Sequence, residues 1–269
     1  MKVFVHDAAI CNGCYCCQIA CKDEHVANDW SPIAKPQPDV GQFWLKLNEY
    51  IRGTVPKVKM HYIPVMCQHC EDAPCMKGCP VKGAIYKRKD GMVVIDSVKC
   101  TGCKNCVDAC PYGVIYFNED LNLAQKCTGC APLLDKGWKE PRCVDACPTE
   151  ALKFMEESEA KELIKKAETL HPEYGLKTRV YYLNVPKKFI GGTVYDPKEK
   201  EIIKGATCTL TGTEGKDSTV LTDGFGDFWF EGLKEGKYSL KIEAKGFAVK
   251  IISSISTEKD VNLGDIALP

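Results

Sequence analysis

The chain has 269 residues, enough for one large or two ordinary domains. Its 36 basic and 36 acidic residues cancel, so nothing in the charge balance suggests nucleic acid or an anionic membrane as the main partner. Hydrophobic residues at 45% and charged residues at 27% are those of an ordinary globular protein, and no apolar run is long enough for a transmembrane helix.

The first residues, MKVFVHDAAICNGC, lead straight into a cysteine group. They carry neither a hydrophobic signal core nor a twin-arginine pair, so the expectation is a cytoplasmic chain. Export alongside a signal-bearing partner remains compatible with this start. Cysteine is the unusual residue: there are 18, and 17 of them lie between Cys11 and Cys147. A reducing compartment disfavours disulfides, so the cysteines point to metal.

Sixteen of them form a fourfold internal repeat. The first group is Cys11, Cys14, Cys17 and Cys21, and Cys16 is extra within it. The second is Cys67, Cys70, Cys75 and Cys79, followed by Pro80. The third is Cys100, Cys103, Cys106 and Cys110, followed by Pro111. The fourth is Cys127, Cys130, Cys143 and Cys147, followed by Pro148. Groups one and three are spaced C-x2-C-x2-C-x3-C; groups two and four keep both ends and widen the middle gap to four and twelve residues. Two-residue gaps let one tight loop wrap three thiolates around a cubane iron–sulfur cluster. The fourth cysteine, before Pro, points away to a neighbouring cluster. The proline ends the short helical turn that carries the last cysteines. Structural zinc is the rival reading, but its ligands usually come as two well-separated C-x2-C pairs.

Between the groups the pattern is that of hairpins. Residues 83–87 and 92–96 read as strands around the turn Lys89-Asp90-Gly91. PYGVIYFNEDLNLAQKC repeats the scheme with a turn over 118–122, and TEALKFM follows group four in the same way. Residues 22–66 interrupt the repeat with a segment rich in Pro and aromatics, for which strands at 43–49 and 59–64 are expected. His25 and His69 lie near cysteine groups, where either could tune a cluster or serve a structural role. After group four, Ala160, Leu163, Ile164 and Ala167 recur at helical spacing, predicting a surface helix over 156–169 and then a linker to 188.

From about residue 189 short β-rich runs are bounded by Gly, Asp and Pro. Phe228 and Phe230 alternate with Trp229, and Tyr238, Leu240 and Ile242 alternate with polar residues, the pattern of half-buried strands in a sandwich. Cys208, between Ala206 and Leu210 on such a run, reads as a buried inert thiol.

CQIACKDEH, PVMCQHCEDAPC, GCPVKGAIYKRKDGMVVID and KCTGCKNCVDACPYGVI carry a resemblance. Residues 1–155 resemble the four-cluster iron–sulfur subunits of the dimethyl sulfoxide reductase superfamily. The resemblance implies tandem ferredoxin-like modules holding four 4Fe–4S clusters, with groups one and four building one module and groups two and three the other. Cys11, Cys14 and Cys17 would then share a cluster with Cys147, and Cys127, Cys130 and Cys143 one with Cys21. Cys67, Cys70 and Cys75 would share one with Cys110, and Cys100, Cys103 and Cys106 one with Cys79. The insertion would face a partner subunit, or Trp30, Phe43 and Trp44 would cover a cluster.

Residues 189–269 resemble the transthyretin-like, carboxypeptidase-regulatory-like β-sandwich, through T-D-x-x-G-x-F-x-F and G-x-Y-x-L-x-I. The expected fold class is α+β, with ferredoxin-like modules followed by that sandwich. The resemblance implies an electron-transfer subunit, not catalytic by itself. Its partner would be a large catalytic subunit carrying molybdenum or tungsten on a bis-pterin guanine dinucleotide, and an external electron carrier could exchange with it. The added sandwich, with LAQKCTGCAPLLD and TRVYYLN, looks most like the small subunits of pyrogallol–phloroglucinol transhydroxylases and related hydroxyarene enzymes. Other subunits of this type serve oxyanion reductases and formate dehydrogenases. A free polyferredoxin would have no use for an added docking domain.

Overall fold

The structure is a computed structural model describing residues 1–212, 215 and 217–269. Contacts divide the protein into two compact units, residues 1–50 with 61–185, and residues 51–60 with 186–269.

The first unit opens with β1 (Lys2–Asp7), whose Val3, Phe4 and Val5 are fully or almost fully buried. Helix α1 (Cys16–Ala27) follows the first cysteine loop. The predicted insertion contains one long hairpin, β2 (Leu45–Thr54) and β3 (Lys57–Met66), whose strands run past the expected ends. Then come α2 (Pro74–Gly78), β4 (Ile85–Lys87), β5 (Val93–Ile95) and α3 (Asn105–Asp108). The second small hairpin is β6 (Tyr116–Asn118) with β7 (Leu123–Gln125). Both hairpins stand where the Asp-Gly turn and the 118–122 turn place them, pairing Ile85 with Ile95 and Phe117 with Ala124. Helices α4 (Ala131–Asp135) and α5 (Arg142–Asp145) carry the fourth group, and β8 (Leu152–Glu156) leaves it.

Two expectations are corrected here. TEALKFM does not open another small hairpin, because β8 pairs antiparallel with β1 from Lys2–Glu156 to His6–Leu152. The predicted helix over 156–169 is a single turn, α6 (Lys161–Ile164). Glu156 is held in the sheet, and Glu168 bridges Tyr182, so the backbone is committed to strand pairing at both ends of the segment. Ala160 still turns inward against Val3 and Val5, with Leu163 and Ile164 beside it. The helical spacing therefore reports one buried face, and sheet pairing overrides the propensity of the rest. Strand β9 (Val180–Leu183) joins the other edge of β1 in parallel register. For this reason the first unit runs to residue 185, beyond the expected module end at 155.

The second unit is a sandwich of two four-stranded sheets. Its strands are β10 (Lys188–Asp196), β11 (Glu201–Ile202), β12 (Thr207–Gly212) and β13 (Asp217–Leu221), then β14 (Asp227–Leu233), β15 (Lys237–Glu243), β16 (Lys250–Ser256) and β17 (Val261–Ala267). One sheet pairs β10 with β11, β14 and β17; the other runs β13-β12-β15-β16. The inward positions are those the alternation marked: Ala206, Cys208, Leu210, Phe228, Phe230, Leu240 and Ile242 are all 2% exposed or less. Phe228 and Phe230 meet edge to face at 5.9 Å, a contact worth about 1 kcal/mol beyond its buried area. Residues 51–60 belong to this unit through Arg52, which pairs with Asp260, and through Lys57 and Lys59, which pair with Asp227 and Glu231 and lie over Trp229.

Candidate metal centres

The sixteen cysteines gather into four quartets, each drawn from two parts of the sequence. Cys11, Cys14 and Cys17 lie near Cys147. Cys127, Cys130 and Cys143 lie near Cys21. Cys67, Cys70 and Cys75 lie near Cys110, and these four line one small enclosed cavity. Cys100, Cys103 and Cys106 lie near Cys79. Two helix contacts produce this exchange: α1 packs on α5, and α2 packs on α3. Gly78 makes the second contact close, since a Cβ there would stand 3.3 Å from that of Ala109.

Local sequence shapes the loops. In C-N-G-C, C-T-G-C and C-T-G-C the third residue is Gly13, Gly102 and Gly129, with φ of 70°, 72° and 65°. That left-handed conformation costs glycine nothing and lets the loop turn back on itself. Helices α1, α3 and α4 are then entered from Tyr15, Lys104 and Cys130, also left-handed. Backbone N–H groups point at sulfur, as Gly129 N does toward Cys127 Sγ at 3.4 Å.

None of the 18 cysteines is joined in a disulfide. Burial pushes half of the quartet thiols upward, and neighbouring thiols add to it: Cys17, Cys70, Cys106 and Cys130 reach about 12, and Cys75 about 11. Four buried thiolates cannot coexist without positive charge between them, so the donor set calls for a cationic occupant. Among the described residues, no three His, Cys, Asp or Glu side chains converge tightly enough to share a single ion. Four cysteine thiolates are the ligand set of an iron–sulfur cluster.

The quartets follow one another in space. Cys17 neighbours Cys21 and Cys143, Cys67 and Cys127 share the neighbour His69, and Cys75 neighbours Cys106. The order is therefore first, fourth, second, third, naming each quartet by the group that supplies three thiols. The end quartets reach the surface at Cys14 and Cys103, while every cysteine of groups two and four but Cys79 and Cys147 is buried. Such an order suits electrons entering at one end and leaving at the other.

The other singled-out residues divide. Trp44 is 1% exposed and its ring lies 4.6 Å from that of His25, whose Nε2 is 3.8 Å from Cys130 Sγ. Burial alone draws His25 down to about 4, so it is a neutral imidazole against the fourth group. Trp44 thus covers a quartet. Trp30 donates from Nε1 to Glu24 Oε1 at 2.9 Å. Cys16 is at the surface, hydrogen-bonded to Cys14, and Cys208 is buried in the sandwich, far from any quartet in sequence. Sequence reading missed Lys126. Lys99 and Lys126 each precede a C-x2-C pair, yet Lys99 is exposed beside Asp96, while Lys126 is 2% exposed. Only the fold distinguishes them.

Comparison with known proteins agrees with this geometry. The 4Fe-4S dicluster domain family matches residues 58–157, and the carboxypeptidase regulatory-like domain family matches residues 190–269. The pyrogallol hydroxytransferase small subunit of Pelobacter acidigallici is 38% identical over 98% of both sequences. The arsenate respiratory reductase iron–sulfur subunit of Shewanella sp. (strain ANA-3) is 45% identical over 42% of this protein and 44% of its own length. The B subunit of the anaerobic dimethyl sulfoxide reductase of Escherichia coli (strain K12) is 38% identical over 51% of this protein and 64% of its own length. The reductase subunits match about half of this protein, and the hydroxytransferase subunit matches nearly all of it. This protein belongs to the family of the pyrogallol hydroxytransferase small subunit, among the iron–sulfur electron-transfer subunits of dimethyl sulfoxide reductase-type molybdoenzymes.

Proposed function

We propose that this chain holds four 4Fe–4S clusters and passes electrons to or from a large subunit bearing molybdenum or tungsten on a bis-pterin, which acts on a hydroxylated aromatic ring. Its ligands would be the four quartets: Cys11, Cys14, Cys17 and Cys147; Cys21, Cys127, Cys130 and Cys143; Cys67, Cys70, Cys75 and Cys110; and Cys79, Cys100, Cys103 and Cys106. The observation that carries the reading is the complete set of sixteen thiols in four cross-paired groups, in a protein similar from end to end to a hydroxytransferase small subunit. Clusters bound there would take up and release single electrons. The protein's own part is to hold sulfur in place, keep water from the two inner quartets and aim N–H groups at sulfur. The domain layout follows the same reading, with the cluster modules in residues 1–155 and the sandwich from about 189.

The test is anoxic purification from the native host, with mass spectrometry of co-purifying chains and assays of iron, molybdenum and tungsten. The expected result is a stoichiometric large subunit containing one of the two metals, with about sixteen irons (four clusters of four) on this chain. Zinc matching iron would overturn the cluster reading. A brown protein with no large subunit would favour a free polyferredoxin. A partner that reduces an oxyanion or oxidises formate, and leaves phenolic rings untouched, would overturn the substrate class alone.

A further inference from the structure

The second group breaks the loop rule that the other three obey. Where they have glycine before the second cysteine, C-Q-H-C has His69, with φ 45°. A left-handed backbone is uncommon outside glycine, although histidine, like Asn and Asp, adopts it more readily than other residues, and such conformations collect at functional sites. His69 is moreover completely buried.

Its ring is fixed by the backbone. Val93 N–H donates to Nδ1 at 3.0 Å, so the proton of the imidazole belongs on Nε2. Nε2 lies beside Cys67 of the second group and Cys127 of the fourth, and finds no hydrogen-bond acceptor among the described residues. A buried N–H with no such acceptor is costly unless sulfur takes it. Lys126 comes from the other side. Its Nζ donates to the carbonyl of the same Val93 and to that of Cys127 at 3.1 Å, and it faces Cys67. One residue of β5 thus holds both side chains between the two inner quartets.

We propose that His69 is a positioning residue that gives its Nε2–H to sulfur of both inner clusters, the one held by Cys67, Cys70, Cys75 and Cys110 and the one held by Cys127, Cys130, Cys143 and Cys21. With the Lys126 charge beside it, it sets their potentials together. The inference rests on the four-cluster reading. An N–H donor and a buried positive charge both stabilise the form carrying the extra electron, and both therefore raise the potential. Placed between two centres, one donor raises both and marks where an electron crosses from one module to the other.

The test is an EPR-monitored redox titration of the complex with its large subunit. His69→Gly installs the residue the other three loops use, so it relieves the backbone while removing the donor. The midpoint potentials of two clusters should fall, and those of the two end clusters should stay. Lys126→Met should lower the same two. In the unmodified complex with 15N-labelled histidine, electron-nuclear double resonance should detect histidine nitrogen at both inner clusters. Four unmoved potentials, movement of one cluster alone, or no nitrogen coupling at the second cluster would overturn the proposal. If His69→Gly fails to load iron, Lys126→Met and the labelled protein decide it. An unmodified protein that lacks four clusters sinks the underlying reading instead, and the iron count reports that separately.

Discussion

His6 offers a quantitative test of the β1 core. It is 2% exposed, and neither ring nitrogen has a hydrogen-bond partner among the described residues. Burial draws its pKa from 6.5 to about 4, with Asp7 opposing weakly. The unfolded protein therefore takes the proton more readily than the folded one. The stability at stake is intact above about pH 6.5 and is lost as pH falls toward 4. Over the full window it amounts to about 3 kcal/mol, and about 2 kcal/mol is gone by about pH 5. His6→Leu removes the titrating group and keeps the position apolar. Guanidinium unfolding of both proteins, loaded and anoxic, should be followed by near-ultraviolet circular dichroism between about pH 7.5 and 5. Acid lability of bound iron is common to both and cancels in the difference. The original protein should lose about 2 kcal/mol relative to the variant. Parallel pH profiles would refute the argument that His6 is buried neutral and unpartnered.

Four further outcomes are expected. Cys110→Ser should alter the EPR signal of the cluster on Cys67, Cys70 and Cys75; a change confined to the Cys100 cluster would contradict the cross-pairing. Trp44→Ala removes a side chain 1% exposed and should cost about 3–5 kcal/mol and speed bleaching in air; unchanged bleaching would show that Trp44 shields nothing. Cys208→Val should leave the iron content intact and change stability by less than about 1.5 kcal/mol, whereas iron loss would make Cys208 more than a core thiol. Truncation after residue 185 should retain iron, while limited proteolysis should now cut within 51–60, because Arg52, Lys57 and Lys59 lose Asp260, Asp227 and Glu231. Loss of iron on truncation would show that the sandwich supports the quartets.

The chemistry of this protein was legible because cluster loops are local. In groups one and three, three thiols within seven residues constrain one another whatever the rest of the sequence does, and the Gly of C-T-G-C announces the turn. The same holds for the small hairpins at the Asp-Gly turn and for the alternating strands of the sandwich. Phe228 and Phe230 point inward as the period of two requires. None of these features needs information from beyond about twenty residues.

What the sequence alone could not decide was non-local. The helical spacing at 160–167 was genuine, but β8 and β9 claim the backbone on either side by pairing with β1. Residues 51–60 read as part of an insertion among the cysteines, yet three ion pairs assign them to the sandwich unit. The quartet exchange was implied only by resemblance, and its physical cause is the packing of α1 on α5 and of α2 on α3. His69 and Lys126 make the point most sharply. In sequence they are 57 residues apart, a histidine in a loop and a lysine before a cysteine, no different from Lys99. Val93 brings them together, by donating its N–H to one and lending its carbonyl to the other. Spacing determines which atoms can bind iron, since that is short-range geometry; burial and shared backbone partners determine how those atoms are charged and tuned, and these exist only once distant segments have packed.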